Sequence, residues 1–271
     1  MPRTMLNDQR WSKLETILRN FDIYLKRNLR HFIEAILYRI RTGCPWRDLP
    51  PDFGNPNSIF KKYSRWSKHN KLIKIFKLIS KHTDKEWIFI DGSHIRAHQH
   101  SAGLKDQAIS KSIGGNSSKI HLAVDSYGNP IEIIITNGTT HDVKVAPELV
   151  EKLDLEETEV LCADKGYDSE PLQEQIRATD TEANIPRKSN TQSNNNHMDW
   201  NLYKIRHLVE NTFARLKQFR GIATRYDKLK RNYENAVALA CIYIWLPYEM
   251  STDTMLFQLI RTHLSVCFFV K

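Results

Sequence analysis

Residues 87–91 read Trp-Ile-Phe-Ile-Asp, and at this stretch the sequence changes from helical periodicity to strand periodicity. A short apolar run rich in aromatic and β-branched side chains predicts a buried strand. Residues 160–164, Val-Leu-Cys-Ala-Asp, repeat the pattern. Two buried strands that each end at an aspartate, between helical segments, predict an α/β fold in which Asp91 and Asp164 face a shared crevice.

The segments after the first strand extend the α/β pattern. Residues 119–124 and 131–135 flank the turn-rich sequence 125–130, which predicts a β-hairpin. Helical spacing predicts one helix over residues 202–219 and another over 230–245, after the polar loop 189–196. Because residues 236–246 contain no charge, we expect the last helix to pack against the sheet.

The sequence pattern of the first 85 residues predicts helices and no strands. Apolar side chains recur at helical spacing over residues 11–18 and 32–40, which indicates two amphipathic helices. Three prolines require a loop over residues 42–51, because each lacks an amide donor and restricts the residue before it. A third helix is expected to begin at Asn57 or Ser58, either of which can cap it.

The third helix has a basic outer face. Its inner face carries Ile59, Tyr63 and Trp66, and its outer face carries three cations, Lys61, Lys62 and Arg65. A helix, a turn and a basic helix predict a helix-turn-helix-like element that reads DNA. The alternative is a small helical bundle whose basic side chains face water.

Charge is unevenly distributed along the chain. The net charge is +9, but residues 1–85 carry a surplus of 12 positive charges and residues 201–235 a surplus of 6, so the remainder is acidic. A basic balance indicates a polyanionic partner such as nucleic acid or an anionic membrane surface. Two solvated helical surfaces would give the same pattern.

Cysteine usage and hydropathy predict a cytoplasmic protein. The four cysteines are far apart and form no C-x-x-C pair, which argues against a disulfide framework and a zinc ribbon. No apolar run reaches membrane-spanning length. Residues 255–270 come nearest, but Arg261 and His263 interrupt them. We therefore expect no membrane partner.

Three acidic residues are candidate metal ligands. Phosphodiester chemistry requires an activated water or 3′-hydroxyl and a neutralised leaving oxygen, and two Mg²⁺ ions held by carboxylates provide both. Asp91 and Asp164 are two candidates, and the third is Glu210, which shares one helical stripe with Tyr203, Arg206, Phe213 and Lys217. Each aspartate could instead belong to a turn or cap, and Glu210 could pair with Arg206 at the surface.

The spacing Tyr203-x2-Arg206-x3-Glu210-x6-Lys217 resembles the Y-R-E-K signature of bacterial insertion-sequence transposases with a DDE core. Residues 90–93 with 96–100, and residues 163–168, resemble the segments around the two aspartates in the insertion-sequence-five-like branch of the insertion-sequence-four superfamily. Residues 42–51, Thr-Gly-Cys-Pro-Trp-Arg-Asp-Leu-Pro-Pro, and residues 221–228 resemble further segments of that branch. The resemblance covers about residues 5–247.

The resemblance implies roles for individual residues. Asp91, Asp164 and Glu210 would hold two Mg²⁺ ions, for which Mn²⁺ can substitute. Six other residues would contact DNA or support the site, namely Tyr203, Arg206, Lys217, Arg96, His98 and His100. A transition-metal cluster of His94, His98 and His100 with Asp91 is the alternative for the histidines.

The resemblance also implies the architecture and the activity. The expected fold is a ribonuclease H-like core with a mixed sheet flanked by helices over residues 86–250, an N-terminal helical DNA-binding domain over 1–85, and an atypical apolar tail over 251–271. The expected activity is that of a DNA transposase that binds terminal inverted repeats, cleaves there and transfers the strands to target DNA, acting as a homodimer or larger assembly. The alternatives are a catalytically silent DNA-binding remnant or repressor, and a ribonuclease H-like nuclease without strand transfer.

Overall fold

The computed structural model describes residues 2–20, 28–81, 83–188 and 194–247. The described part of the first 79 residues forms four helices, namely α1 (Asp8–Asn20), α2 (Leu29–Thr42), α3 (Pro56–Lys68) and α4 (Lys71–Ile79). The predicted proline-rich loop separates α2 from α3 and contains two short 3₁₀ turns. The tail 251–271 and most of the polar loop 189–196 lie outside the described residues.

The third helix begins earlier than its predicted start. Pro56 is its first residue and Asn55 caps it, because the Asn55 side chain accepts a hydrogen bond from the Ser58 amide. Proline suits the first helical turn, where its missing amide would have no intrahelical partner. The predicted faces are confirmed in part: Ile59, Tyr63 and Trp66 are buried, whereas the outer face is only partly exposed to solvent.

The described residues after α4 alternate between seven strands and six helices. The strands are β1 (Trp87–Ala97), β2 (Ser110–Ser112), β3 (Gly115–Val124), β4 (Pro130–Asn137), β5 (Val160–Cys162), β6 (Glu182–Asn184) and β7 (Thr224–Arg225). The helices are α5 (Asp142–Lys152), α6 (Glu170–Arg177), α7 (Trp200–Ile205), α8 (His207–Lys217), α9 (Arg220–Ala223) and α10 (Lys230–Trp245). Within the described ranges, no helix is both long enough and apolar enough to cross a membrane.

One sheet contains all seven strands, and its main order is β4-β3-β1-β5-β6. β3 runs antiparallel to both β1 and β4, which confirms the predicted hairpin, while β5 and β6 run parallel to β1. β2 pairs with the start of β3, and β7 pairs with the end of β1. This strand order and these directions are ribonuclease H-like, so the predicted mixed α/β fold is confirmed.

The first strand is longer than predicted. Residues 87–90 were expected to form it, with Asp91 at its end, but β1 continues to Ala97. Pairing with β3 persists from Phe89–Val124 to Arg96–Ser117, whereas pairing with β5 stops at Phe89–Cys162. Asp91 therefore lies inside β1, just beyond the point where the parallel neighbour ends.

Helix α10 lies between the N-terminal helices and the sheet. It packs on α2, α3 and α4 on one side and on β4 on the other. Small and branched apolar side chains, including Ala236, Ala238 and Val237, are completely buried along it. The predicted packing against the sheet is confirmed, and the same helix also forms part of the core beneath the N-terminal helices.

Polar contacts tie the N-terminal helices to the end of the described chain. The Tyr63 hydroxyl donates to the carbonyl of Asn232 at 2.5 Å. Arg39 of α2 makes two hydrogen bonds of 3.2 Å to the Asp227 carboxylate, and both side chains are more than 90% buried. The backbones also approach closely, since a Cβ added to Gly221 would lie 3.1 Å from the Ile40 backbone.

Candidate active site

The sheet register places Asp91 and Asp164 side by side. Phe89 pairs with Cys162 across β1 and β5, and each aspartate lies two residues further along its own chain. Adjacent strands are about 4.8 Å apart, so the two backbones leave the parallel pair at the same edge. The carboxylates accept hydrogen bonds of 2.8 Å from nearby backbone amides, Asp91 from Gly92 and Asp164 from Gly166.

The predicted helix 202–219 is interrupted at Arg206. α7 ends at Ile205 and α8 begins at His207, and the bonds from Arg206 N to Tyr203 O and from Val209 N to Arg206 O span three residues. The tightened turn brings the Arg206 guanidinium against the sheet. Its Nη1 donates to Asp91 Oδ2 at 3.3 Å, and its Nη2 donates to Glu210 Oε1 at 2.5 Å.

Arg206 therefore bridges two of the three predicted metal ligands. The surface pair of Arg206 with Glu210 does form, but its guanidinium is only 18% exposed and also binds Asp91. Among the residues that the structure describes, no group of three or more His, Cys, Asp or Glu side chains is close enough to hold a metal ion. The position of Arg206 explains this, because its cation lies between Asp91 and Glu210.

Burial and neighbouring carboxylates disfavour the charge on Asp91. Burial raises the pKa of Asp91; the Gly92 hydrogen bond and the Arg206 charge offset this only in part, and the charges of Asp164 and Asp142 add to the rise. Burial also opposes the charge on Arg206, but Asp91 and Glu210 outweigh it and raise the pKa of the guanidinium. A cation bound beside Asp91 would therefore stabilise its charged form.

A second polar cluster lies beside Asp91 and was not predicted. Lys119 Nζ donates to Asp142 Oδ2 at 2.6 Å, and His121 Nδ1 lies 3.2 Å from Asp142 Oδ1. Burial opposes ionisation of Asp142, but the hydrogen bonds from His121 and Lys119 outweigh it and lower the pKa of Asp142 to about 2. The carboxylate is so close to β1 that a Cβ added to Gly92 would lie 2.2 Å from Asp142 Oδ1.

The sequence holds a signal for this cluster. Lys119 and His121 are two residues apart in a strand whose other central residues are apolar, so they project from the same face. Both are buried, and a buried cation requires a carboxylate partner. The identity of that partner, at the start of α5, depends on tertiary packing. The sequence pattern of residues 141–142 indicated only a helix start.

The other signature residues converge on β1. Lys217 Nζ donates to Ser93 Oγ at 2.7 Å, so the last signature residue lies beside the strand that carries Asp91. The Arg206 guanidinium lies 5.9 Å from the ring centroid of Tyr203. Arg206 and Lys217 thus both contact β1, although they no longer share one continuous helix.

The histidine segment adopts two different environments. β1 ends at Ala97, so residues 94–100 do not share one extended face. His94 Nε2 lies 2.9 Å from the Gly138 carbonyl oxygen, whereas the His98 ring packs 4.9 Å from His100 and 5.1 Å from Tyr226, measured between centroids. Arg96 is exposed. Within the described chain these histidines do not assemble into a transition-metal site.

The basic residues of α3 are not equivalent. Lys61 and Arg65 are exposed, as expected for residues that meet a polyanion. Lys62 is half-buried, and its ammonium lies 4.1 Å from the Phe32 ring centroid and 5.7 Å from that of Trp66. The Lys62 ammonium therefore makes cation–π contacts within the protein itself.

Comparisons with known proteins agree with this fold. Residues 82–245 match the family described as "Transposase DDE domain", and residues 6–76 match the family described as "Putative transposase of IS4/5 family". A ribonuclease H-like core that carries acidic residues at one strand edge defines the class of DDE enzymes. The chain belongs to the DDE transposase family, in the IS4/5 group.

Curated relatives cover different parts of the chain. A Brucella ovis protein named "Putative transposase for insertion sequence element IS6501" is 37% identical over 131 residues, which are 48% of this chain and 98% of that protein. An uncharacterized Sinorhizobium fredii protein, y4sN, is 37% identical over 78 residues, and the match spans 29% of this chain and 62% of that protein. A piggyBac transposase in a synaptic complex with hairpin DNA is 12% identical, covers 70% of this chain and 50% of its own, and has a TM-score of 0.37.

Proposed function

We propose that this transposase binds the terminal inverted repeats of an insertion sequence, cleaves the DNA there, and joins the 3′ ends to target DNA. The observation that carries the proposal is the register of β1 and β5. It sets Asp91 and Asp164 level at one strand edge, where Arg206, just before α8, donates to both Asp91 and Glu210.

The three carboxylates fit divalent cations in their chemistry. Asp91, Asp164 and Glu210 offer hard oxygen donors, the ligand type that Mg²⁺ prefers. These residues would hold two Mg²⁺ ions, which when bound make the attacking hydroxyl more acidic and neutralise the leaving oxygen. Because the Arg206 guanidinium binds both Asp91 and Glu210, we expect this side chain to move when cations bind.

Residues around the carboxylates are suited to hold the scissile phosphate. Arg206 presents a planar donor fork and Lys217 a mobile point charge, both bonded to residues of β1, and Tyr203, whose ring lies near Arg206, adds a hydroxyl. Arg96 lies near the end of β1, and His98 and His100 follow the strand. Further away, Lys61 and Arg65, with a smaller contribution from Lys62, would contact the phosphates of the element ends as part of an N-terminal DNA-binding unit, residues 1–85.

The proposal is tested with the full chain and duplex DNA that contains the element ends. With Mg²⁺ the wild type should nick or cut the ends and transfer them to a plasmid, and Asp91→Asn should abolish both reactions because one ligand is lost. Since burial disfavours the Asp91 charge, the Tm of Asp91→Asn should equal or exceed that of the wild type. Equal cleavage by wild type and variant would refute the assignment.

The reaction products distinguish the proposed transposase from its alternatives. Cleavage without strand transfer would favour a ribonuclease H-like nuclease, whereas metal-independent binding of the ends without cleavage would favour a silent remnant or repressor. We further propose that the enzyme acts in the bacterial cytoplasm as a homodimer or larger assembly, because two ends must be joined. Mass photometry of the chain with end DNA would measure that assembly.

A further inference from the structure

A cavity of about 450 Å³ lies where the two basic regions of the sequence meet. Four arginines from four separate parts of the chain line it: Arg3 of the N-terminal segment, Arg10 of α1, Arg41 of α2 and Arg215 of α8. None of the described residues that line this cavity is an aspartate or a glutamate. This arginine cavity therefore concentrates positive charge.

Uncharged groups of the protein orient the arginines. Arg10 Nη1 donates to the Tyr243 hydroxyl at 2.5 Å, and its guanidinium lies 5.0 Å from the centroid of the same ring. Arg41 Nη2 donates to the Arg3 carbonyl oxygen at 3.0 Å, and Arg215 Nη2 donates to the Ile244 carbonyl oxygen at 3.4 Å. Because the acceptors of Arg10 and Arg41 carry no formal charge, these contacts fix the two donor forks without neutralising them.

The arginine cavity is separate from the carboxylate site. Arg215 and Lys217 are two residues apart on α8, so they project about 200° apart around the helix axis. Lys217 reaches Ser93 on β1, whereas Arg215 reaches the end of α10. Helix α8 thus stands between the two sites, and a ligand of one does not occupy the other.

We propose that the arginine cavity binds an oxyanion of the phosphate class, supplied by the DNA backbone at a point away from the carboxylates. Guanidinium forks match phosphate oxygens in geometry, and Thr4 and Gln218 in the lining add neutral donors. The assignment of this oxyanion to the DNA backbone rests on the proposed function, whereas the proposal that the cavity binds an oxyanion does not. DNA that fills this cavity is contacted by the N-terminal helices and by α8 together.

The test uses the full-length double variant Arg3→Gln/Arg41→Gln. Arg3 is exposed and Arg41 half-buried, and glutamine removes the charge while it keeps a polar side chain. The matched control is Arg19→Gln/Arg177→Gln, which loses the same charge from two exposed arginines outside the cavity. The probes are a fluorescent end duplex, followed by anisotropy without divalent cations, and inorganic pyrophosphate, followed by thermal shift at constant ionic strength.

The cavity variant should bind the duplex at least about tenfold more weakly, and the slope of log Kd against log salt should fall by about 1 to 2. The control should change both quantities much less. Pyrophosphate should raise the Tm of the wild type and of the control but not that of the cavity variant. If the double variant unfolds, Arg3→Gln alone should show a smaller loss of the same kind.

Other outcomes are equally decisive. Unchanged duplex binding together with a lost pyrophosphate response would overturn the DNA source and support free phosphate as the ligand. Unchanged responses to both probes would overturn the proposal. If the wild type binds no duplex but still shows the cavity-dependent pyrophosphate response, the proposed function fails while the oxyanion site stands.

Discussion

Asp91 and Asp142 lie close enough to influence each other, yet burial and partners shift their pKa values in opposite directions. Asp142 pairs with the Lys119 ammonium and lies 3.2 Å from His121 Nδ1, and its charge is stabilised. Burial destabilises the charge of Asp91, and one shared guanidinium offsets this only in part. The two carboxylates therefore differ: the ion pair of Asp142 supports the fold, whereas Asp91 is the one proposed to bind cations.

Replacing Asp142 by Asn should therefore lower stability in a pH-dependent way. The folded pKa of about 2 lies below the ordinary value of 3.8, so the carboxylate stabilises the fold above pH 4, and this contribution is lost as the pH falls from about 4 to about 2. The loss at pH 7 should be about 2 kcal/mol. This difference in unfolding free energy between wild type and Asp142→Asn should vanish near pH 2.

Urea unfolding of wild type and Asp142→Asn at several pH values measures this difference. Glu148→Gln is the matched control, because Glu148 also lies on α5 and pairs with a lysine, but both side chains are exposed. Its cost should stay below about 0.5 kcal/mol at every pH. A pH-independent cost of Asp142→Asn would contradict the assigned ion pairs.

At the scale of elements, β1 and α5 meet at Gly92. The absence of a side chain there lets Asp142 approach the strand, and an added Cβ would also lie 2.8 Å from Lys119 Cε. Gly92→Ala should cost about 1–3 kcal/mol, because the buried ion pair must shift. In an Asp142→Ala background the same substitution should cost much less, and equal costs in the two backgrounds would argue against this contact.

The elements themselves follow closely from local patterns. The hairpin, the last helix and three of the four N-terminal helices in the described ranges were predicted, because their apolar periodicity and their turn residues agree with the fold, whereas α4 was not predicted separately. The break at Arg206 had no local signal, since residues 200–219 contain neither glycine nor proline. It accompanies the contact of Arg206 with Asp91, 115 residues away, and such pairing is invisible in a short window.

The candidate site, too, could be predicted from the sequence only in part. The residue types and the Y-R-E-K spacing identified Asp91, Asp164 and Glu210, and the sheet register supports the pairing of the two aspartates. Sequence could not predict that β1 would extend past Asp91, because the extension depends on the partner strand β3. It could not predict the role of Asp142 either, since its cationic partners lie on another element.

For the whole molecule, the Arg39–Asp227 pair joins the N-terminal helices to the rest of the chain. The pair is buried, and the Arg39 guanidinium also lies 4.3 Å from the Trp46 ring centroid. Arg39→Gln would leave Asp227 buried without its cation, which should cost about 3–5 kcal/mol. Arg19→Gln, at an exposed pair, should cost less than about 0.5 kcal/mol.

The form of the unfolding curve tests the same coupling. Circular dichroism and tryptophan fluorescence should report one shared transition for wild type and for Arg39→Gln, because α10 packs against both the N-terminal helices and the sheet. Two separate transitions in the wild type would show that the N-terminal helices unfold independently.

The position of α10 has a consequence for how such enzymes diversify. If the N-terminal segment were replaced by that of a relative, the new α2, α3 and α4 would have to pack on α10, which is encoded more than 150 residues downstream. The replacing segment must supply a donor for the Asn232 carbonyl and a cation for the Asp227 carboxylate, and its backbone must fit closely against Gly221. Recombination within residues 80–86 should therefore yield misfolded hybrids, and lineages should inherit both halves as one unit.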